Sequence, residues 1–399
     1  MGRPAVTEQP GVGPRHGPDP HSPPSAPAVT QLEPERAARP SALVLLRQAL
    51  TRQSVTALVS ALLFVALALA LALVPVPYVV YSPGRAYDVL GLNKDGKPLV
   101  QIGNAVDYPT TGRLSMTTVS VSSADSRVTL PQVVYAWFHR DHDALPRQAV
   151  YDESKTSEQV RSEELRMMST SQGDAVVAGL RAANVPVEEL AMVTAVTIAG
   201  PANDKLKPGD LILKVGGAAV QTPEQAREAI RNHRVGEPIE FTVWRDDREQ
   251  TATVVSAASS SNPEIPAVGI NLGVGYRHQP KVTFGVDDQI GGPSAGLVFA
   301  LAVYDRATPG ELINDRAVAG TGTIDADGKV GPIGGIKEKV AGARKAGATT
   351  FLVPRDNCRD LSGVKTDMTL IRVDSLSSAI GSLDKLNTEG EQAAVPTCG

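Results

Sequence analysis

Residues 282–305 read VTFGVDDQIGGPSAGLVFALAVYD. A strand-like run passes through Gly291-Gly292-Pro293-Ser294 into an apolar helical run. Pro293 suits a helix start, and the two glycines permit an unusual backbone. This spacing predicts Ser294 at a helix N-terminus. Free N–H groups and the helix dipole there can stabilise a developing oxyanion. Serine at a helix start is also a common cap, so this feature alone makes Ser294 a candidate nucleophile and no more.

Gly292-Pro293-Ser294-Ala295-Gly296 fits the G-x-S-x-G elbow of α/β-hydrolases, but that fold needs a histidine after the serine. The last histidine is His278, upstream of Ser294. Nothing near His139, His142, His233 or His278 supports the opposite order. Lysine is the usual substitute base. In GGIKEKVAGARKAG (334–347), Ile336, Lys339, Val340 and Ala343 fall on one helix face. Lys337 falls on another face, with Ala341 and Arg344. Periodicity therefore puts Lys339 on the apolar face. Burial there would lower its pKa and make it a competent base, although a lysine snorkelling past the helix edge fits the same pattern. A literal S-x-x-K at Ser382–Lys385 lies in a polar terminal helix without companion motifs and reads as chance.

Residues 192–256 form a block of strand (Met192–Ile198), strand (Asp210–Val215), helix, and two strands (Ile239–Trp244 and Thr251–Val255). Thr222, Pro223 and Gln225 make a capping box with a helical first-position proline. Ala226, Ala229, Ile230 and His233 share one face of that helix. SAASSSNPEIP (256–266) is a linker by composition. Upstream, 110–135 reads as strands and 157–183 as helix. Downstream, an α/β stretch runs from about 266 to 385.

The N-terminal part is different in kind. Ten of the 30 prolines fall in the first 40 residues, a stretch with too little apolar surface to offset its ordering entropy. Val55–Val74 then gives 20 residues without a charge, roughly 30 Å of helix, the thickness of a bilayer core. A buried soluble helix would normally keep a polar face. A cleaved signal peptide would have a shorter apolar run and a shorter leader. Arg36, Arg39, Arg47 and Arg52 precede the run, and the next basic residue is Arg85. The positive-inside rule predicts a cytoplasmic N-terminus and residues 76–399 outside.

Composition sets outer limits. The 399 residues suggest two or three domains. A net charge of −4 gives no support to nucleic-acid binding, and the six histidines show no metal-ligand spacing. The two cysteines, Cys358 and Cys398, both follow the apolar run. Outside the cytoplasm such a pair favours a disulfide, although two free thiols fit the same count.

Two resemblances rest on these residues. AGPANDKLKPGDLILKVGGAAV (199–220) resembles the corresponding part of PDZ domains. That resemblance implies a peptide groove using strand addition, with Val193, Thr194, Ala195, Val196 and Thr197 as the groove strand. GGPSAG, GTGTI (320–324), GPIGGIKEK (331–339) and GATTFLVP (347–354), in that order, resemble the proteolytic domain of Lon proteases, which are Ser–Lys dyad peptidases. The resemblance implies Ser294 as nucleophile, Lys339 as general base, and Thr321 as a threonine supporting the lysine. TGRLSMTTVSV (111–121) and the helix near Met168–Ala183 look like the earlier part of the same domain, which makes the PDZ-like block an insertion. Anchor, PDZ and Lon-type domain together resemble the YlbL-like membrane-anchored proteases.

The expected fold is therefore α+β. A tail (1–53) and a single transmembrane helix (54–75) precede a Lon-type α/β domain in two parts (76–190 and 258–388), with a PDZ-like insertion (191–257) and a C-terminal tail (389–399). Many Lon proteases carry an aspartate three positions before the serine, where this chain has Gly291. No G-x-x-x-x-G-K-[ST] loop occurs, so the expected activity is ATP-independent peptide-bond hydrolysis without cofactor or metal. The expected partners are a peptide or protein substrate and the membrane, and a homo-oligomer stays open because Lon relatives form rings. The rival reading is a non-catalytic membrane-tethered PDZ scaffold with a degenerate protease domain.

Overall fold

The computed structural model describes residues 51–398, apart from 94, 153, 391 and 392. Nearly all of the expected tail, with Arg36, Arg39 and Arg47, lies outside the described residues. The chain falls into two compact units, one ending at Leu67 and the other beginning at Ala68. Helix α1 (Arg52–Leu73) runs across that boundary and buries none of its side chains. It is long and apolar enough to cross a membrane. Each large aliphatic side chain left in water would forfeit about 1.5–3 kcal/mol of burial, so this surface calls for an apolar surrounding.

The second unit continues with β1 (Tyr78–Asp88), β2 (Arg113–Val121), α2 (Leu130–Phe138), β3 (Asp143–Pro146) and α3 (Ser157–Ala182). Then come β4 (Val187–Val196), β5 (Leu211–Val215), α4 (Pro223–Arg231), β6 (Pro238–Arg245), β7 (Arg248–Val255) and β8 (Ile270–His278). The remainder is α5 (Gly296–Ala307), β9 (Ala317–Gly320), α6 (Ile336–Lys345), β10 (Thr350–Pro354), β11 (Thr369–Val373) and α7 (Leu376–Glu389).

The larger sheet has the order β11-β10-β9-β2-β1-β3. Its first four strands are parallel, and β1 and β3 are antiparallel additions. Side chains alternate across it as a pleated strand requires. Leu114, Met116, Val318 and Leu352 join a core with α3, α5 and α7. Ala319, Phe351 and Val353 join a second core with Ile336, Val340 and Ala343 of α6. Helices α5 and α6 therefore pack on opposite faces of one sheet.

The 110–135 stretch is a strand only in its first half. Leu130–Phe138 is a helix because Thr129 and Gln132 form a capping box, Pro131 sits in its first turn, and Val133 and Ala136 bury one face. β-branched and alternating residues predict a strand, while the cap determines the helix.

The inserted block is an antiparallel sheet in the order β8-β4-β5-β6-β7. It has its own core around Ile212, Ile239, Phe241 and Ile230. This core includes Val268 and takes contacts from Ile270 and Leu272. The block thus continues past the expected limit at 257, because β8 supplies its outer strand. Part of the expected linker pairs as well, Ala257–Ala258 against Pro266–Ala267. The chain rejoins the larger domain at Lys281–Phe284, which pairs with Val100–Gly103.

Candidate active site

Ser294 stands immediately before α5, whose N-cap is Ala295. The turn depends on Gly292, at φ +85°, a conformation that costs glycine little. The bend is tied down from three directions. Ser171 Oγ donates to the Pro293 carbonyl at 2.9 Å, and the Gly292 amide donates to the Glu164 carbonyl at 3.0 Å. Thr321 Oγ1 and the Gly322 amide both donate to the Ser294 carbonyl at 2.9 Å. The amides of Ser294 and Ala295 have no hydrogen-bond acceptor among the described residues.

Lys339 arrives from the other face of the sheet. Helix α6 begins after Gly335, at φ +69°, where a β-carbon would meet Val119 at 2.7 Å. The Lys339 side chain is 3% exposed. Its Nζ lies 2.9 Å from Ser294 Oγ and donates to the Thr117 carbonyl at 2.8 Å. Burial, with no carboxylate to offset it, pushes its pKa down to about 7. Burial thus favours the neutral amine, whose lone pair could take up a proton.

Thr321 is fully buried, and its hydroxyl serves Ser294 rather than Lys339. The expectation that it supports the lysine is corrected: a residue leaving the end of β9 meets the turn before α5. The group that holds the amine is the Thr117 carbonyl on β2. Sequence pattern could not find it, because any residue type supplies a carbonyl.

Two acids also went unnoticed in the sequence. Glu338 is 1% exposed, and among the described residues no cationic or amide donor reaches its carboxylate oxygens. Burial raises its pKa, and the Asp143 carboxylate pushes the same way. Glu164, from α3, lies against Gly291, where an added β-carbon would come within 2.8 Å of the Glu164 β-carbon. The position of the aspartate in many Lon proteases thus has no room for a side chain here. Glu164, Tyr81, Tyr151 and Ile290 line a cleft of about 630 Å³ that reaches Ser294 and Lys339. Beyond Met116, β2 pairs only with β1 among the described residues, which leaves Thr118–Val121 without a strand partner along this cleft.

The remaining expected residues lie elsewhere. The S-x-x-K pair is not a site: Ser382 is buried and bonds back to the Ser378 carbonyl, while Lys385 is exposed. Cys358 and Cys398 are joined as a disulfide, and the tail runs beside β11 through Cys398–Leu370 and Arg372–Pro396 backbone bonds. Val193, Thr194, Ala195, Val196 and Thr197 do not form a free groove strand. Val196, Ala195 and Val193 face Ile270, Asn271 and Leu272 of β8. On the other edge the Val193 amide donates to Asp210 and its carbonyl accepts from Gly209. The open edge beside α4 belongs to β8, which pairs only with β4.

The family described as the Lon protease (S16) C-terminal proteolytic domain matches residues 286–383, and the PDZ domain family matches residues 169–255. The chain carries a Lon-type proteolytic domain and a PDZ domain. The Lon-type segment is 46% identical over 93 residues to a Lon protease of Chloroflexus aurantiacus, covering 22% of this chain and 11% of that protein. It is 45% identical over 73 residues to Lon protease 1 of Bacillus subtilis, covering 18% and 9%. The chain thus spans about a tenth of the length of the curated Lon proteases it matches. The crystal structure of the PDZ domain of an SdrC-like protein from Listeria monocytogenes is 26% identical, covering 21% of this chain and 85% of that one at a TM-score of 0.19. Ser294, Thr321 and Lys339 all fall inside the Lon-type match, whereas Thr117 and Glu164 lie upstream of it.

Proposed function

We propose that this chain is a membrane-anchored serine endopeptidase that works without ATP. The observation that carries the reading is the buried Lys339 amine 2.9 Å from Ser294 Oγ. In this reading Ser294 Oγ attacks the peptide carbonyl as its proton passes to neutral Lys339 Nζ. The resulting ammonium gives that proton to the leaving amine, and water then repeats the sequence on the acyl-enzyme. The Thr117 carbonyl holds Nζ in line throughout. The unpaired Ser294 and Ala295 amides are the candidate oxyanion donors.

An extended peptide fits the free edge of Thr118–Val121, where main-chain pairing would present its carbonyl to Ser294. The PDZ domain would take a chain end or extended segment on the open edge of β8 beside α4. Helix α1 is the anchor. The Cys358–Cys398 bond and the arginines before α1 support an outer, oxidising location for the catalytic region. No phosphate-binding loop is present in the sequence, so substrates are peptides, flexible segments or exposed termini.

The test compares processed termini of secreted and membrane proteins in cells carrying wild type, Ser294→Ala or Lys339→Ala. Loss of the same termini in both variants supports the dyad. Unchanged termini would favour the non-catalytic scaffold, and retained activity of either purified variant would overturn the dyad.

A further inference from the structure

Helix α2 is apolar on both sides. Val133 and Ala136 face the core, yet Leu130, Val134, Trp137 and Phe138, spaced as one helical stripe, face outward. Phe138 is 83% and Trp137 61% exposed. A soluble surface rarely displays such a stripe without a partner.

The position of α2 identifies the partner. Helix α1 ends at Leu73, and Pro75 pairs with Thr129, the N-cap of α2. The Val76 amide donates to the Val128 carbonyl at 2.8 Å, and the Tyr78 ring meets the Trp137 ring edge-on at 6.0 Å. The start of α2 is therefore about 5 Å from the second residue after α1, and the helix is only about 13 Å long. If α1 spans a bilayer, Pro75 stands at the boundary of the hydrocarbon. The exposed aromatic stripe then stands at headgroup level, where tryptophan and other amphipathic aromatics are enriched.

We propose that α2 lies in the surface of the membrane from which the chain emerges, with Trp137 and Phe138 inserted among the phospholipids. The inference rests on reading α1 as a membrane anchor.

The chain has two tryptophans, Trp137 and Trp244, so each can be observed alone. The full chain is reconstituted in phosphatidylcholine vesicles carrying bromine, a fluorescence quencher, on the upper acyl carbons. The Trp244→Phe variant should lose about half of its emission, as expected for a ring at the interface, and the Trp137→Phe variant much less. Adding Phe138→Glu to Trp244→Phe should remove most of the quenching; that site is too exposed to carry the core. Alkaline carbonate extraction separates the outcomes. Retained protein with unquenched Trp137 overturns the inference and leaves the anchor standing. Retained protein in which position 137 cross-links two copies overturns it in favour of a self-association face. Equal quenching of both tryptophans also overturns it. Protein released by carbonate overturns the anchor and this inference together.

Discussion

Lys339 Nζ sits 2.9 Å from Ser294 Oγ although the two residues belong to segments packed on opposite faces of one sheet. They meet where the parallel pairing of β2 with β9 ends, in the crevice where open α/β sheets commonly place their ligands. There the sheet no longer separates the faces: β9 stops at Gly320, and β2 continues paired with β1 on its other edge. Thr117, one residue past the last β2–β9 pair, is the point of contact.

The first prediction is a pH profile. The depressed pKa of Lys339, about 7, makes the neutral amine scarce below that value and dominant above it. The logarithm of kcat/KM for a peptide substrate should rise with unit slope below pH 7, bend near pH 7 and level off above it. A profile still climbing at pH 9 would contradict a buried, neutral base.

The same shift has a cost in stability. Between pH 7 and 10.5 the unfolded lysine holds a proton that the folded one has lost, so stability rises with pH across that window. Below pH 7 the full penalty remains. Lys339→Met removes the titration but leaves the Thr117 carbonyl unpaired. The variant should be inactive yet more stable by about 1–3 kcal/mol at neutral pH, with the gain shrinking towards pH 10. Denaturant melts of both proteins at several pH values decide this.

Glu338 gives the opposite sign. Its folded pKa is raised above 4.5, so the folded state binds the extra proton, and stability falls as pH climbs from 4.5 through the folded value. Glu338→Gln should match wild type near pH 4 and melt at a higher temperature at pH 7. A variant less stable at neutral pH would mean that this carboxylate has a partner when ionised.

Much of this site could be read from the sequence because each feature was tied to a residue type. The absence of any histidine after Ser294 points to a lysine as the candidate base, and a period of 3.6 separates Lys339 from Lys337. The limits of the insertion were harder, since β8 is separated from β7 by a segment whose Ser and Pro content mimics a free linker. The groove strand failed for a related reason: local pattern marks a strand but not whether both its edges are paired. Glu338 escaped notice because α6 is buried on more than one stripe, which a single-face reading excludes.

The Cys358–Cys398 bond closes a separation of 40 residues and ties the tail to β11. In the chain-entropy account such a loop contributes about 3–4 kcal/mol. Cys358→Ser with Cys398→Ser should therefore lower the denaturant midpoint while kcat stays within about twofold, because no described tail residue lines the cleft. Reduction of the wild type should reproduce the shift.

Thr321 distinguishes positioning from packing. Its hydroxyl and the Gly322 amide share the Ser294 carbonyl, so removing the hydroxyl leaves that carbonyl one partner. Thr321→Val keeps the volume and should cost only about 1 kcal/mol of stability. It also frees the turn that aims Ser294 Oγ at Lys339, and small misplacements at a reacting atom cost rate steeply. We expect kcat to fall about tenfold with KM nearly unchanged. Thr321→Ser, which restores the donor, should recover most of the rate. A Thr321→Ser variant as slow as Thr321→Val would assign the residue to packing alone.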